Sequence, residues 1–180
     1  MMPAKDGSKP KRRLRPKIGD LLEFQTAKGL GYAQYTHRFD DKFYRDLIRV
    51  IEGLFDERPA DLEALAARPT LFWVYFPVAS EAWRGTLTLL GPVAIPPEAR
   101  EKPAMRSTLG EGHAPPPETW RIVDATGRHR ITAFPPGFWQ LSDERLTFGP
   151  SLIEDIEMQV RPEDRPLREL AERAKSRPTK

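Results

Sequence analysis

GLGYAQYTHR, Gly29 to Arg38, is the stretch of this sequence that decides the fold. Gly31, Ala33 and Tyr35 fall on one face of an extended chain, and Tyr32 falls on the other. The small residues at 31 and 33 leave room on their face for a neighbouring strand or a sharp barrel bend. Neither GxGxxG nor a P-loop motif occurs in the chain, so these glycines do not indicate a phosphate loop. We predict the second strand of a β-meander.

Other segments also have the composition of strands. KIGDLLEFQT, residues 17–26, alternates apolar and polar residues and precedes a turn at Ala27-Lys28-Gly29. LIRVIEGLF (47–55) and LFWVYFP (71–77) are nearly continuous apolar runs, and the first of them indicates a strand buried on both faces. WRIVD (120–124) leads through an Ala-Thr-Gly turn into a further strand.

Helices are few and short in this prediction. One is expected over Pro59 to Arg68, ended by Pro69. Ser151 and Glu154 have the spacing of a capping box, which predicts a C-terminal helix with Ser151 as its N-cap. The sequence therefore predicts an α+β, β-rich fold, either an antiparallel meander or an SH3-like, partly closed barrel with a few short helices.

Charge divides the chain into three parts. The net charge is +3, but residues 1–17 carry +6 and residues 161–180 carry +3. Residues 18–160 hold fifteen basic and 21 acidic residues, and such an acidic body is poorly suited to a nucleic-acid backbone. We predict a disordered basic arm over 1–17, a single β-rich domain over 18–162, and a polar tail over 163–180 that can form a short helix.

The composition also restricts the compartment. The chain has no cysteine, which excludes disulfides and Cys-based zinc sites and fits a reducing cytoplasm. It has no apolar run long enough to cross a bilayer. Its N-terminus is basic but lacks the apolar core of a secretory signal. We therefore predict a cytoplasmic protein without membrane contact.

No residue pattern in the sequence indicates catalysis. The three histidines, His37, His113 and His129, lack the HxH and HExxH spacings of metal sites, and no GxSxG motif is present. We therefore predict no enzyme activity, no cofactor and no metal. An enzyme of unrecognised type, in which His37 works with Asp20 or Asp40, stays open as an alternative.

Aromatic residues allow either packing or binding. A platform that stacks single-stranded nucleic acid needs interleaved Lys and Arg, and LFWVYFP (71–77) has no charge at all. Core packing therefore better explains Trp73, Phe76 and Trp120. For Tyr32 and Tyr35 the sequence leaves both roles open.

Short motifs follow one another in a specific order between Ile18 and Pro162. The positions that carry the order are Gly19-Asp20, Gly31-Tyr32, Arg49-Val50, Phe76-Pro77, Pro96, Arg106 and Trp120. In this order and spacing they resemble the Imm26 family of bacterial immunity proteins. The resemblance implies a non-enzymatic protein that binds and neutralises a cognate toxin, and it carries over no catalytic residues.

An acidic body can complement a basic toxin such as a nuclease. We expect the contact residues to be exposed acids, with two aromatic anchors beside them. The predicted residues are Asp40, Asp41, Asp46, Asp56 and Glu57, with Tyr32 and Tyr35 as the anchors. Charge reversal at Asp40 and Asp41 is expected to weaken binding to a basic partner.

A second hypothesis is a nucleic-acid-binding module with an SH3-like barrel. It is based on the basic residues from Lys9 to Lys17 and on the aromatic strands. It predicts steeply salt-dependent binding to nucleic acid through residues 1–17 only, lost when those residues are removed.

Overall fold

The structure is a computed structural model that describes residues 15–42, 44–108, 119–161 and Asp164. Its larger sheet has five strands: β1 (Asp20–Thr26), β2 (Gly29–Arg38), β3 (Asp46–Phe55), β4 (Thr70–Tyr75) and β5 (Thr88–Pro92). Their order is β4-β3-β2-β1-β5, and all neighbouring pairs are antiparallel. The first four strands follow one another as a meander. The α+β, β-rich meander is therefore confirmed, and the described strands form open sheets rather than a closed barrel.

A smaller sheet packs beside the first. Its strands are β6 (Met105–Thr108), β7 (Trp120–Asp124), β8 (Gly127–Arg130) and β9 (Ser142–Asp143), in the order β8-β7-β6-β9. Strands β6 and β9 are parallel, and the other pairs are antiparallel. Three α-helices complete the described fold: α1 (Leu62–Ala66), α2 (Val78–Arg84) and α3 (Gly149–Met158).

Both faces of the five-stranded sheet are covered. On one face, residues of β1 to β4 pack with Val78 and Ala82 of α2 and with Leu152 and Ile156 of α3. The other face holds smaller apolar clusters with α1 and with Met105 of β6. Burial on both sides explains the continuous apolar run of β3, as predicted.

Gly31 in β2 has a specific packing role. A Cβ atom at this position would lie 2.1 Å from Cγ2 of Ile156. The room that the small residue leaves is therefore filled by helix α3, not by a neighbouring strand or a barrel bend.

Helix α3 begins earlier than the capping-box pattern predicts. Its first residue is Gly149 and its N-cap is Phe148, so Ser151 lies inside the helix. Pro150 suits the first turn because it lacks an N–H that would need a partner there. A Cβ at Gly149 would lie 2.4 Å from Thr86 Cγ2, so a tertiary contact fits this start. The prediction of Ser151 as N-cap is wrong.

Helix α1 is shorter than the predicted 59–68, because Asp61 caps it by accepting a hydrogen bond from the Ala64 N–H at 2.9 Å. Helix α2 was not predicted at all. Of the predicted arm, residues 1–14 lie outside the described residues, as does the predicted tail apart from Asp164.

A fully buried arginine joins the strands on the α1 side of the sheet. Arg49 of β3 donates from Nε to Gln34 Oε1 at 3.0 Å and from Nη1 to Thr70 Oγ1 at 3.3 Å. It also donates to the backbone carbonyls of Ala66 and Arg68. No carboxylate of the described residues forms an ion pair with it, so the acceptors of its hydrogen bonds are neutral groups.

A second buried arginine organises the smaller sheet. Arg106 of β6 donates from Nε to Asp143 Oδ1 at 2.5 Å. Its guanidinium carbon lies 5.7 Å from the Trp120 ring centroid and 5.2 Å from that of Trp139. Trp120 is buried among these aromatic rings, which is the packing role expected from the sequence.

Candidate functional site

The predicted acids separate into two groups. Asp40 and Asp41 are exposed in the connection between β2 and β3, and Asp46 begins β3. Asp56 and Glu57 are exposed directly after β3 ends. Ten residues of strand span about 30 Å. The structure therefore brings Asp40, Asp41 and Asp46 to one end of the sheet and the other two acids to the opposite end.

Tyr32 and Tyr35 are not available at the surface as aromatic anchors. Their exposed fractions are 0% and 2%, and they point to opposite faces of the sheet. The Tyr32 hydroxyl donates to Glu23 at 3.0 Å, and the Tyr35 hydroxyl donates to Asp46 at 2.7 Å. Burial is the main cause that raises the pKa of both phenols. Helices pack over both faces of β2, so the structure places these two rings in the interior, and their role as anchors stays a prediction.

His37 does not form a pair with either predicted aspartate. Its Nε2 lies 3.0 Å from the carbonyl oxygen of Arg100, and its buried Nδ1 has no hydrogen-bond partner among the described residues. Burial lowers the pKa of the imidazole. Asp20 instead accepts a hydrogen bond from the Lys17 N–H at 2.7 Å, and Asp40 is exposed.

The loop between β3 and α1, residues 56–61, is the first candidate site, and we call it the acidic loop. Asp56 and Glu57 are exposed, and neither has an ion-pair partner among the described residues. Arg58 turns away from them and binds Glu23 through two hydrogen bonds, at 2.8 and 2.7 Å. The basic residue of the loop is therefore neutralised internally, and its carboxylates face solvent.

The acidic loop lines two open hollows of mixed apolar and polar surface. An open hollow of about 900 Å³ is lined by residues 54–60, and one of about 340 Å³ lies between the loop and α1. Phe55 and Pro59 border both hollows and are only half-buried. Apolar surface with a charged rim is the usual anatomy of a protein–protein contact.

Glu23 is the buried carboxylate that holds the acidic loop in place. Its hydrogen bond from Arg58 is the main cause that lowers its pKa below the usual value, against the opposing effect of burial. The Tyr32 hydroxyl lowers it further. A group whose pKa is lowered on folding stabilises the folded state above its unfolded pKa and loses this contribution as the pH falls.

The variant Glu23→Gln is accordingly expected to melt roughly 2–4 °C below the wild type at pH 7. The difference should shrink as the pH falls through the ordinary glutamate value of 4.5 and vanish once Glu23 is protonated in both states. Thermal unfolding from pH 7 to pH 3 measures it. Glu63→Gln, an exposed change on α1, is the control and should show no such trend. A difference that stays constant with pH would contradict the assignment.

The second candidate site is a cleft of about 230 Å³ between the two sheets, which we call the inter-sheet cleft. Six of the residues that line it are Phe39, Tyr44, Tyr75, Lys102, Arg128 and Glu144. The Tyr44 and Tyr75 rings meet edge-on with centroids 5.0 Å apart. Arg128 donates to Glu144 at 2.9 Å, and Asp41 accepts from the Tyr44 N–H at 2.8 Å.

Of the predicted site residues, only Asp41 lines the inter-sheet cleft. The others of the cleft come from the β2–β3 connection, β4, the segment before β6, the β7–β8 hairpin and the residue after β9. No spacing in the sequence links these segments. The one available signal was the Asp124–Gly127 turn, because recognising that hairpin places Arg128 opposite Val123.

No group of three or more His, Asp or Glu side chains converges in the part of the chain that the structure describes. Among the same residues, no helix has the length and apolar character needed to cross a membrane. Comparison of the chain with family models, with curated proteins and with solved structures found no match.

Proposed function

We propose that this chain is a non-enzymatic protein that binds and neutralises a cognate toxin in the cytoplasm. The observation that carries the proposal is the acidic loop, where exposed Asp56 and Glu57 line an open hollow together with apolar residues such as Phe55 and Pro59, while Arg58 is held by Glu23. This combination offers a basic protein both apolar contact area and charge complementarity. The order of sequence motifs, which resembles the Imm26 family, supports the same function.

The charge of the body supports a basic partner. Residues 18–160 have six more acidic than basic residues. A field of this sign accelerates the encounter with a basic protein and repels nucleic acid. A nuclease toxin, whose active surface must be basic to hold its substrate, is the class of partner that this charge fits.

The direct test is recovery of the partner from the native host. Tagged full-length protein and a version lacking residues 1–17 are each used to capture bound molecules at moderate salt. We expect both to recover the same protein, and we expect co-expression of this chain to restore growth of cells that produce it. If co-expression does not restore growth, the proposal that this chain neutralises the toxin is contradicted, whether or not the partner is captured. Nucleic acid recovered by the full-length chain alone would favour the second hypothesis.

Reversing the charge of the acidic loop is expected to weaken toxin binding. In Asp56→Lys/Glu57→Lys the affinity should fall about tenfold or more, mainly through slower association at low salt. Binding kinetics at two salt concentrations measure both effects. The matched comparison is Asp40→Lys/Asp41→Lys at the opposite end of β3, the other acidic pair that the sequence predicts to contact the partner. If only this second variant loses affinity, the contact lies at the β2–β3 connection, as the sequence also allowed.

A further inference from the structure

The Tyr75 hydroxyl is an unusual feature of the inter-sheet cleft. Tyr75 is 2% exposed, yet its hydroxyl has no hydrogen-bond partner among the described residues. The residue lines the cleft. Its oxygen is absent from the buried atoms that are both closed off from solvent and without a partner, which indicates that it is open to the cleft. Burial raises the pKa of Tyr75 to about 12, so the phenol keeps its proton. A neutral donor therefore reaches the cleft from a buried ring.

Two cations, Lys102 and Arg128, and two carboxylates, Asp41 and Glu144, line the cleft. Arg128 is paired with Glu144, but Lys102 has no ion-pair partner among the described residues. The Lys102 ammonium lies 5.2 Å from the Phe39 ring centroid, at the wall of the cleft. A lysine over an aromatic ring keeps most of its hydrogen-bonding capacity for another group.

Two further arginines lie next to the cleft on β7 and β8. Arg121 and Arg130 lie directly opposite each other on β7 and β8, two positions along from the pair of Val123 and Arg128. Alternation along a strand puts both pairs on the same face, about 7 Å apart. Neither arginine has an acidic partner among the described residues. Like charges in directly opposed positions repel each other, and an anion beside them would relieve this cost.

We propose that the inter-sheet cleft binds a small molecule that carries one aromatic ring and one anionic group, with the ring against Phe39, Tyr44 and Tyr75 and the anion near Lys102. The volume of about 230 Å³ equals that of roughly eight waters at ~30 Å³ each, which admits a single ring system. The Tyr75 hydroxyl donates to the anion, and Arg121 and Arg130 attract it. This site is separate from the acidic loop and does not depend on the proposed function.

The test separates the two halves of the ligand. Phenyl phosphate and adenosine 5′-monophosphate are titrated into the full-length protein, and phenol, adenosine and inorganic phosphate serve as the ring-only and anion-only probes. Calorimetry or ligand-observed NMR measures the affinities. We expect at least one aromatic phosphate to bind at least tenfold more tightly than its separate halves. Preference for phenyl phosphate would indicate a single-ring ligand, and preference for the nucleotide would indicate a nucleobase.

Two variants locate the site. Lys102→Gln and Tyr75→Phe should each weaken binding of the preferred probe by roughly tenfold or more, because each removes a donor to a charged group. Tyr75→Phe is also its own folding control, since it deletes only a hydroxyl that no described residue bonds. Lys28→Gln, at the β1–β2 turn, should bind as the wild type does. Binding unaffected by Lys102→Gln and Tyr75→Phe, or no preference for the complete probes, would overturn the proposal.

Discussion

Replacing Arg49 by methionine is expected to lower the free energy of unfolding by about 3–5 kcal/mol. The guanidinium fork is completely buried and supplies donors to Gln34 Oε1 and to the carbonyls of Ala66 and Arg68. Methionine removes every one of these donors and leaves the buried acceptors, Gln34 Oε1 and the Ala66 carbonyl, without this partner. Its side chain is long and flexible, so it refills much of the volume, and the loss reports hydrogen bonds more than an empty cavity.

The absence of a carboxylate partner among the described residues makes this site different from an ordinary buried ion pair. A buried pair can often be exchanged for two apolar residues at little cost, because both charges leave together. At Arg49 two of the acceptors are backbone carbonyls, which no substitution can remove. The destabilisation should therefore persist in any apolar replacement, whatever its size.

Urea unfolding of three variants tests this account. Arg49→Lys keeps the charge, but all the donors of lysine are on one nitrogen atom. That nitrogen cannot reach both the Gln34 side chain and the backbone carbonyls near α1. We expect it to be less stable than the wild type. Arg38→Met, an exposed change at the end of β2, should alter the free energy of unfolding by less than about 0.5 kcal/mol. An Arg49→Met protein as stable as this control would refute the structural role.

The strands were predictable because their signals are local. The alternation of β2, the apolar run of β3 and the turn between β1 and β2 each lie within ten residues of sequence. The start of α3 was not predictable in this way. It follows from the contact of Gly149 with Thr86 and Glu81, which are more than sixty residues away. A local capping pattern at Ser151 does not override such a tertiary contact.

The exposure of the candidate contact residues was harder to predict than the fold. The alternation of side chains along a strand correctly put Tyr32 and Tyr35 on opposite faces of β2. It did not show that both faces are covered. Several positions that carry the family resemblance are interior ones. Arg49 and Arg106 are buried, and Gly19 has a φ of +99°, which favours glycine. These motif positions therefore contribute to the fold. They do not identify the binding surface, which has to be inferred from exposed charged residues.

Gly31→Ala is expected to destabilise the protein by about 1–3 kcal/mol, the usual effect of overpacking a core. The added methyl group would lie 2.1 Å from Cγ2 of Ile156 and 3.6 Å from Cδ2 of Leu54. Ile156 is β-branched, so its Cγ2 has little freedom to rotate away inside a helix. Either α3 must shift outward or β2 must bend, and both movements disturb the largest apolar cluster.

The direction of the change in stability is informative, because alanine is intrinsically preferred over glycine within a strand. Glycine inside a strand is less stable than alanine by roughly 0.5–1 kcal/mol when nothing packs against it. Destabilisation by Gly31→Ala therefore requires α3 to press on β2. In a double-mutant cycle, Ile156→Ala should create a cavity on its own and yet accommodate the methyl group that Gly31→Ala introduces. The two changes together should then cost at least about 1 kcal/mol less than the sum of the single changes. Strictly additive free energies of unfolding, or a Gly31→Ala protein more stable than the wild type, would mean that Ile156 does not contact this strand.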